Sequence, residues 1–217
     1  MTNLRGRPRA STKLVSGFGT QEDLLRAAAQ LFCEVGYSST STRAIADAAG
    51  VRQASIYHYF ATKQDLLLVL LLQTVAPTLT TAERLLTAEA PAAAKLWALC
   101  YRDANLLMQN EFNLGSLYLL PELGDPTLAE FHSQRQKLRD AYHTLVSQIE
   151  GQRVAEAGRS TDLVLALVES VIIQRRENRQ LDAVDVAPRI ADAALRVLEL
   201  SSEAILAART QGVLLAN

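Results

Sequence analysis

Cysteine is scarce in this chain. Cys33 and Cys100 lie far apart, each among apolar helical residues, so no disulfide framework is implied and buried thiols of a cytosolic protein are expected. Val, Ile, Thr and Gly are too thin for an extensive sheet, whereas Ala and Leu dominate, which points to an all-α chain. Long hydrophobic runs are missing too. The longest, Leu66 to Leu72, is far too short to span a bilayer, and the Arg- and Gly-rich start does not read as a signal peptide. The expectation is a soluble, intracellular protein with no membrane partner. Catalytic signatures are also lacking: there is no GxSxG, P-loop, GxGxxG, HExxH or CxxC. His58, His132 and His143 have no Cys or carboxylate companions at metal-ligand spacing, so no metal, no cofactor and no enzyme activity is implied.

What is present is an uneven charge. Residues 1–66 hold eight Lys/Arg against five Asp/Glu, a net +3, while the remainder holds fourteen against eighteen, a net −4. A basic amino-terminal part on an acidic body suggests a polyanion at one end only. Residues 1–19 show no apolar period and read as a flexible arm, in which RGRPR at 5–9 has the character of a minor-groove arm or of a solubilising tail.

A helix opens at Thr20, with Asp23 in a weak capping box. Leu24, Ala27, Ala28, Leu31, Phe32 and Val35 form its apolar face, and Gly36 stops it. The stretch from Ser41 to Phe60, STRAIADAAGVRQASIYHYF with its cap, then reads as two short helices hinged at Gly50. Ile45 and Ala48 of the first, over Thr42 to Ala49, point inward, Val51 plugs the angle, and Ile56 with Tyr59 or Phe60 anchors the second. Gln53, Ser55, Tyr57 and His58 are left outward. Thr62 with Asp65 caps a further helix.

The order AAAQLF, GY, IADAAGV, SIYHYF, TKQDLL resembles the DNA-binding domain of the TetR family of transcriptional regulators. The resemblance implies a major-groove helix-turn-helix. Gln53 and Ser55 would then face base edges, with Tyr57 and His58 on thymine methyls, sugars or phosphates. Family position places Arg43 within reach of guanine and Thr42, Tyr59 and Lys63 on phosphates. Arg52 departs from the pattern: it stands where the family usually has a small capping residue, putting a cation near the groove edge.

Beyond residue 66 the pattern stays helical. Pro77 should kink or break the fourth helix. From Ala92 to Asn110, Trp97, Tyr101, Ala104 and Met108 recur at helical spacing with Phe112 just beyond, a stripe that suits core or cavity wall. NLGSLYLLPELGDP is a broken helical stretch, and Asp125-Pro126 marks a helix start. On the helix from Thr127 to Glu150, Arg135 shares the apolar face of Phe131, Leu138, Tyr142, Leu145 and Ile149. It must either pair, with Glu122 or Glu130, or anchor an acidic or carbonyl ligand. A helix from Ser160–Asp162 through VLALVESVIIQRR follows. A last helix after Pro188 would carry Ile190, Ala194, Val197, Leu198, Ser201, Ile205 and Ala208 on one side.

The expected architecture is all-α: a basic arm (1–19), a three-helix helix-turn-helix domain (20–66) and a larger helical effector-binding and dimerisation domain (67–217). The expected function is that of a cytoplasmic, nucleoid-associated homodimer joined through its last two helices. It would bind a palindromic operator in double-stranded DNA and be released, as a repressor, by a small molecule. Trp97, Tyr101, Met108, Phe112, Arg135 and Tyr142 are the candidate ligand contacts. The second reading is an effector-independent architectural or partner-recruiting DNA-binding protein, which a closed core would favour and an open cavity at Arg135 or Tyr142 would not.

Overall fold

The computed structural model describes residues 20–151, 154–178 and 180–216; the amino-terminal arm lies outside them. The described residues form ten α-helices and no strand. They divide after Leu67 into two compact units.

The first unit is built on α1 (Thr20–Glu34), α2 (Thr42–Ala48) and α3 (Gln53–Ile56), followed by the start of α4 (Lys63–Gln73). Leu24, Ala27, Ala28, Phe32, Ile45, Ile56 and Phe60 make its core. Val35 departs from the expected apolar face: it lies in the unwinding end of α1 and is 56% exposed. On α2 and its C-cap the buried residues are Ile45, Ala46 and Ala49, while Ala48 is half-buried. Ser41 caps α2, its Oγ accepting the Ala44 N–H at 3.1 Å. At the other end Gly50 takes φ +72°, and the N–H groups of Gly50 and Val51 return to Asp47 O and Ala46 O. That closed turn fixes the angle at which α3 leaves α2. Thr62 and Asp65 cap α4 reciprocally, through Thr62 N–H to Asp65 Oδ2 at 2.8 Å and Asp65 N–H to Thr62 Oγ1 at 3.2 Å.

In the second unit, α5 (Ala76–Thr87), α7 (Ala129–Glu150), α8 (Val154–Glu177), α9 (Ala183–Val197) and α10 (Ser202–Ala216) pack around α6 (Ala92–Gln109). The run Ala94–Cys100 is buried on every side, so α6 is a core helix rather than an amphipathic one. Stretch 63–87 is long and apolar enough in composition to cross a bilayer, contrary to the reading of Leu66–Leu72 alone. It is nevertheless two helices, α4 and α5, interrupted at Thr74–Val75, and half of its apolar window is packed inside. Pro77 sits in the first turn of α5, where its missing N–H costs nothing.

Between α6 and α7 the chain makes three 3₁₀ segments, Leu114–Leu119, Pro121–Gly124 and Pro126–Leu128. The first packs against α8 at Gly115, where a Cβ would lie 2.6 Å from Ile172 Cγ1. Arg175 of α8 donates to Leu107 O and Asn110 O at 2.6 Å each, occupying carbonyls left open at the end of α6. Two boundaries differ from expectation. Helix α8 begins at Val154 and runs through Gly158. The predicted last helix is two, because Pro188 lies inside α9 and the chain turns at Glu199 (φ +60°) before α10. Most of the face expected on that helix is internal: Ile190, Ala194, Leu198, Ile205 and Ala208 are buried.

Candidate nucleic-acid interface and effector cavity

Helix α3 is a single turn, and Tyr57, His58 and Tyr59 continue it as a hydrogen-bonded turn that ends when Phe60 enters the core. The ambiguity between Tyr59 and Phe60 resolves on packing. Phe60 is 5% exposed, while Tyr57 and Tyr59 are 52% and 47% exposed. Arg43, Arg52, Gln53 and His58 are exposed as well, and Ser55 and Thr42 are half-buried. From Val51 to Lys63 the chain has no acidic residue. One polar cluster braces this surface: Thr42 Oγ1 lies 3.3 Å from Tyr57 Oη and receives Gln53 Nε2 at 3.5 Å. Arg52 stands at the N-cap of α3 without capping it, so its side chain is not committed to the helix. Arg43 lies 4.0 Å from Asp47 in an open i,i+4 pair, which holds it weakly.

Lys63, expected on a phosphate, is engaged within the unit itself. Its ammonium donates to Tyr37 O at 2.9 Å and Thr40 O at 3.0 Å, and sits 4.1 Å from the Tyr37 ring centroid. A cation held by two carbonyls and a ring face ties the loop after α1 to the start of α4. Sequence spacing could not reveal this, because its partners are backbone carbonyls far back in the chain.

In the second unit the six expected ligand contacts do not converge. Trp97 is fully buried, its Nε1–H donates to Asp192 Oδ1 at 2.7 Å, and Tyr101 stacks on it at 5.3 Å; both belong to the junction of α6 with α9 and α10. Met108 is a core residue, and Phe112 is half-buried at the end of α6. Tyr142 is fully buried and donates its hydroxyl to Asp103 Oδ2 at 2.9 Å, while Thr78 donates to Asp103 Oδ1 at 3.2 Å. Burial pushes the Asp103 carboxyl from its ordinary 3.8 up to about 6, against the hydroxyl bond from Tyr142 that favours its charge. Burial also raises Tyr142 well above its usual range, with Asp103 beside it adding to the effect.

Of the six, Arg135 lines a cavity of about 450 Å³ between the first 3₁₀ segment, α7 and α8. Its walls include Tyr118, Phe131, Glu169, Ile172 and Ile173. Arg135 pairs neither with Glu122 nor with Glu130: its Nη2 donates to Glu169 Oε1 at 2.7 Å, and its guanidinium carbon lies 4.5 Å from the Tyr118 ring centroid. The Tyr118 hydroxyl in turn meets Thr74 Oγ1 at 2.6 Å, in the interruption between α4 and α5. A signal for this wall exists in the sequence. Phe131 with Arg135, and Glu169 with Ile172 and Ile173, share faces at i+3 and i+4, but nothing local says that the two faces meet. A second cavity of about 280 Å³ adjoins it and shares His132 and Arg135, with Asp103 and Arg139 at its edge. Among the described residues, no group of three or more His, Cys, Asp or Glu could hold a metal ion.

A glycine-hinged pair of short helices, the second of them free of acidic residues on its exposed face, followed by a second helical unit, has the form of a helix-turn-helix DNA reader. Comparison with known proteins agrees. The family described as "Bacterial regulatory proteins, tetR family" matches residues 24–70. The repressor KstR2 of Rhodococcus jostii is 46% identical over 48 residues, 22% of this chain and 24% of that protein, so the match spans about a quarter of that relative. The crystal structure of Mycobacterium smegmatis AmtR is similar throughout, with TM-score 0.83 and 41% identity over 93% of this chain and 98% of that one. The AibR structure, solved with isovaleryl coenzyme A and operator DNA, shares the fold at TM-score 0.65 and 21% identity, over 81% of this chain and 97% of that one. The chain belongs to the TetR family of transcriptional regulators, DNA-binding proteins of all-α fold.

Proposed function

We propose that the protein is a homodimeric repressor that binds a palindromic operator and leaves it when a small molecule occupies the helical body. The observation that carries the DNA half is the acid-free surface from Arg52 to Tyr59, together with Arg43, braced by the Thr42–Tyr57–Gln53 cluster. On this reading Gln53 and Ser55 face bases, and Arg43 and Arg52 supply cationic contacts. Thr42, Tyr57, His58 and Tyr59 line the backbone, and Lys63 positions the unit from within. The reading places the protein in the cytoplasm with the nucleoid. Acting as a repressor is in keeping with KstR2, a repressor similar over the reading unit.

Two copies are needed to present two reading elements about 34 Å apart, one duplex turn. The surface we assign to the second copy is on the last helix. Leu206, Val213 and Leu214 lie at i, i+7 and i+8 of α10 and are exposed, and Leu163 of α8 is exposed too. A ligand shifts such a dimer between spacings only by its differential affinity for them. An open cavity with Arg135 in its wall supports the ligand-responsive reading over the architectural one, although Tyr142 is in the core.

The test is selection of bound sequences from random duplex DNA. A palindrome with half-sites one turn apart is expected, and a single asymmetric site would refute the dimer geometry. Tyr57→Ala should lower affinity for the selected duplex about tenfold or more while the dimer persists; unchanged affinity removes this face from the interface.

A further inference from the structure

We propose that the cavity beside Arg135 is the effector site, and that its effector is an uncharged amphipathic molecule with an apolar body and one carbonyl, hydroxyl or amide end. The assignment rests on the ligand-responsive reading above and adds to it the place and the chemical class.

The walls call for an apolar body. Tyr118 and Phe131, with ring centroids 5.6 Å apart, contribute aromatic wall. Leu119 and Ile173 come from different segments, yet both line this cavity and both are left in water, 61% and 44% exposed. A guest that covers them removes exposed apolar surface, and the volume of about 450 Å³ lies in the range of small-molecule sites.

The polar end decides the charge of the guest. The Ser170 hydroxyl is already committed, donating to Leu167 O at 2.7 Å and accepting from Gln174 at 3.0 Å. His132 is engaged with Leu123 O at 2.7 Å. Arg135 gives Glu169 one N–H at 2.7 Å, and a guanidinium has further N–H groups for a guest oxygen. An anionic guest on those N–H groups would lie beside the Glu169 carboxylate, a like charge already held at contact distance on the same guanidinium, and would bind against its repulsion. A guest that did displace Glu169 would leave its carboxylate without the guanidinium it is bonded to. A cationic guest meets the mirror problem, since it must take Glu169 from Arg135 while lying beside a guanidinium. A neutral oxygen or amide can bond to this pair and leave it intact.

The experiment uses three probes with one alkyl chain: n-octanol, octanoate and octylammonium. Each is titrated calorimetrically into the full-length protein near neutral pH, with operator affinity measured in the same samples. Saturable octanol binding that weakens the operator complex is expected, with the two charged probes at least about tenfold weaker. Ile173→Trp, which fills the opening, should abolish octanol binding, and Leu119→Gln on the opposite rim should weaken it several-fold. Both variants are checked for fold by circular dichroism. A charged probe that binds as well as octanol overturns the class, and undiminished binding by both variants overturns the site. Absent octanol binding with operator binding intact also overturns the proposal while leaving the DNA-reading function standing. Octanol binding with unchanged operator affinity overturns the effector role and the ligand-responsive reading together.

Discussion

Asp103 provides a quantitative test of how the helical body is held. The residue is 6% exposed, and its carboxylate joins three helices, receiving Thr78 from α5 and Tyr142 from α7. Burial is the main reason its pKa rises from 3.8 to about 6, and the Glu169 charge adds to it while Tyr142, Arg135 and Thr78 oppose. A displacement of about two units is worth roughly 3 kcal/mol of differential interaction. Between about pH 4 and pH 6 the folded state therefore holds a proton that the unfolded chain has released. Stability from this group falls as pH rises through that window, and the whole cost is present above it. Asp103→Asn keeps the size and an acceptor oxygen but has no charge to bury. Urea unfolding of both proteins at fixed concentration, from about pH 4 to pH 7.5, should show the stability of the variant relative to wild type rising by about 3 kcal/mol. Other titrating groups cancel in that difference. Parallel stability curves for the two proteins would refute the assignment of a costly buried carboxylate.

Two further expectations concern packing and the reading unit. Gly212→Ala places a Cβ 2.6 Å from Trp97 Cε3 and 3.0 Å from Ala94 O, a clash with a fixed ring and a backbone atom. Urea unfolding should show a loss of about 1–3 kcal/mol, and a neutral result would mean that α10 can shift freely on α6. Lys63→Met keeps the stem but removes the ammonium from Tyr37 O and Thr40 O, so faster amide exchange in α1 and α2 is expected, with about 1.5–3 kcal/mol lost from the unit. The salt dependence of operator binding should keep its slope; a slope reduced by about one would instead mean that Lys63 neutralises a phosphate.

The reading unit was legible because its determinants are local. Ser41, Gly36, Gly50 and the Thr62–Asp65 box act within a few residues of themselves, and a periodic pattern records them. The interior of the body was not, because its decisive partners are remote in the chain. Nothing near Trp97 announces Asp192, and nothing near Arg135 singles out Glu169 over Glu122 or Glu130, which are closer in sequence. The aromatic stripe on α6 was real as a pattern, but α6 is surrounded, so its stripe marks core and not a cavity wall. Pro188 misled for a different reason: a proline suggests a boundary, yet it lies within α9, and the break comes instead at Glu199, whose positive φ no local residue advertises.

The hydrogen bond from Trp97 to Asp192 has an optical consequence. The chain has a single tryptophan, and it is enclosed where α6, α9 and α10 meet, with the Tyr101 ring stacked upon it. Its emission therefore reports one junction of the body and carries no light from the reading unit. Denaturation followed by fluorescence beside far-ultraviolet dichroism separates the two units without any label. Coincident transitions would mean that they melt as one cooperative block, and displaced ones that the DNA-facing helices come apart on their own schedule.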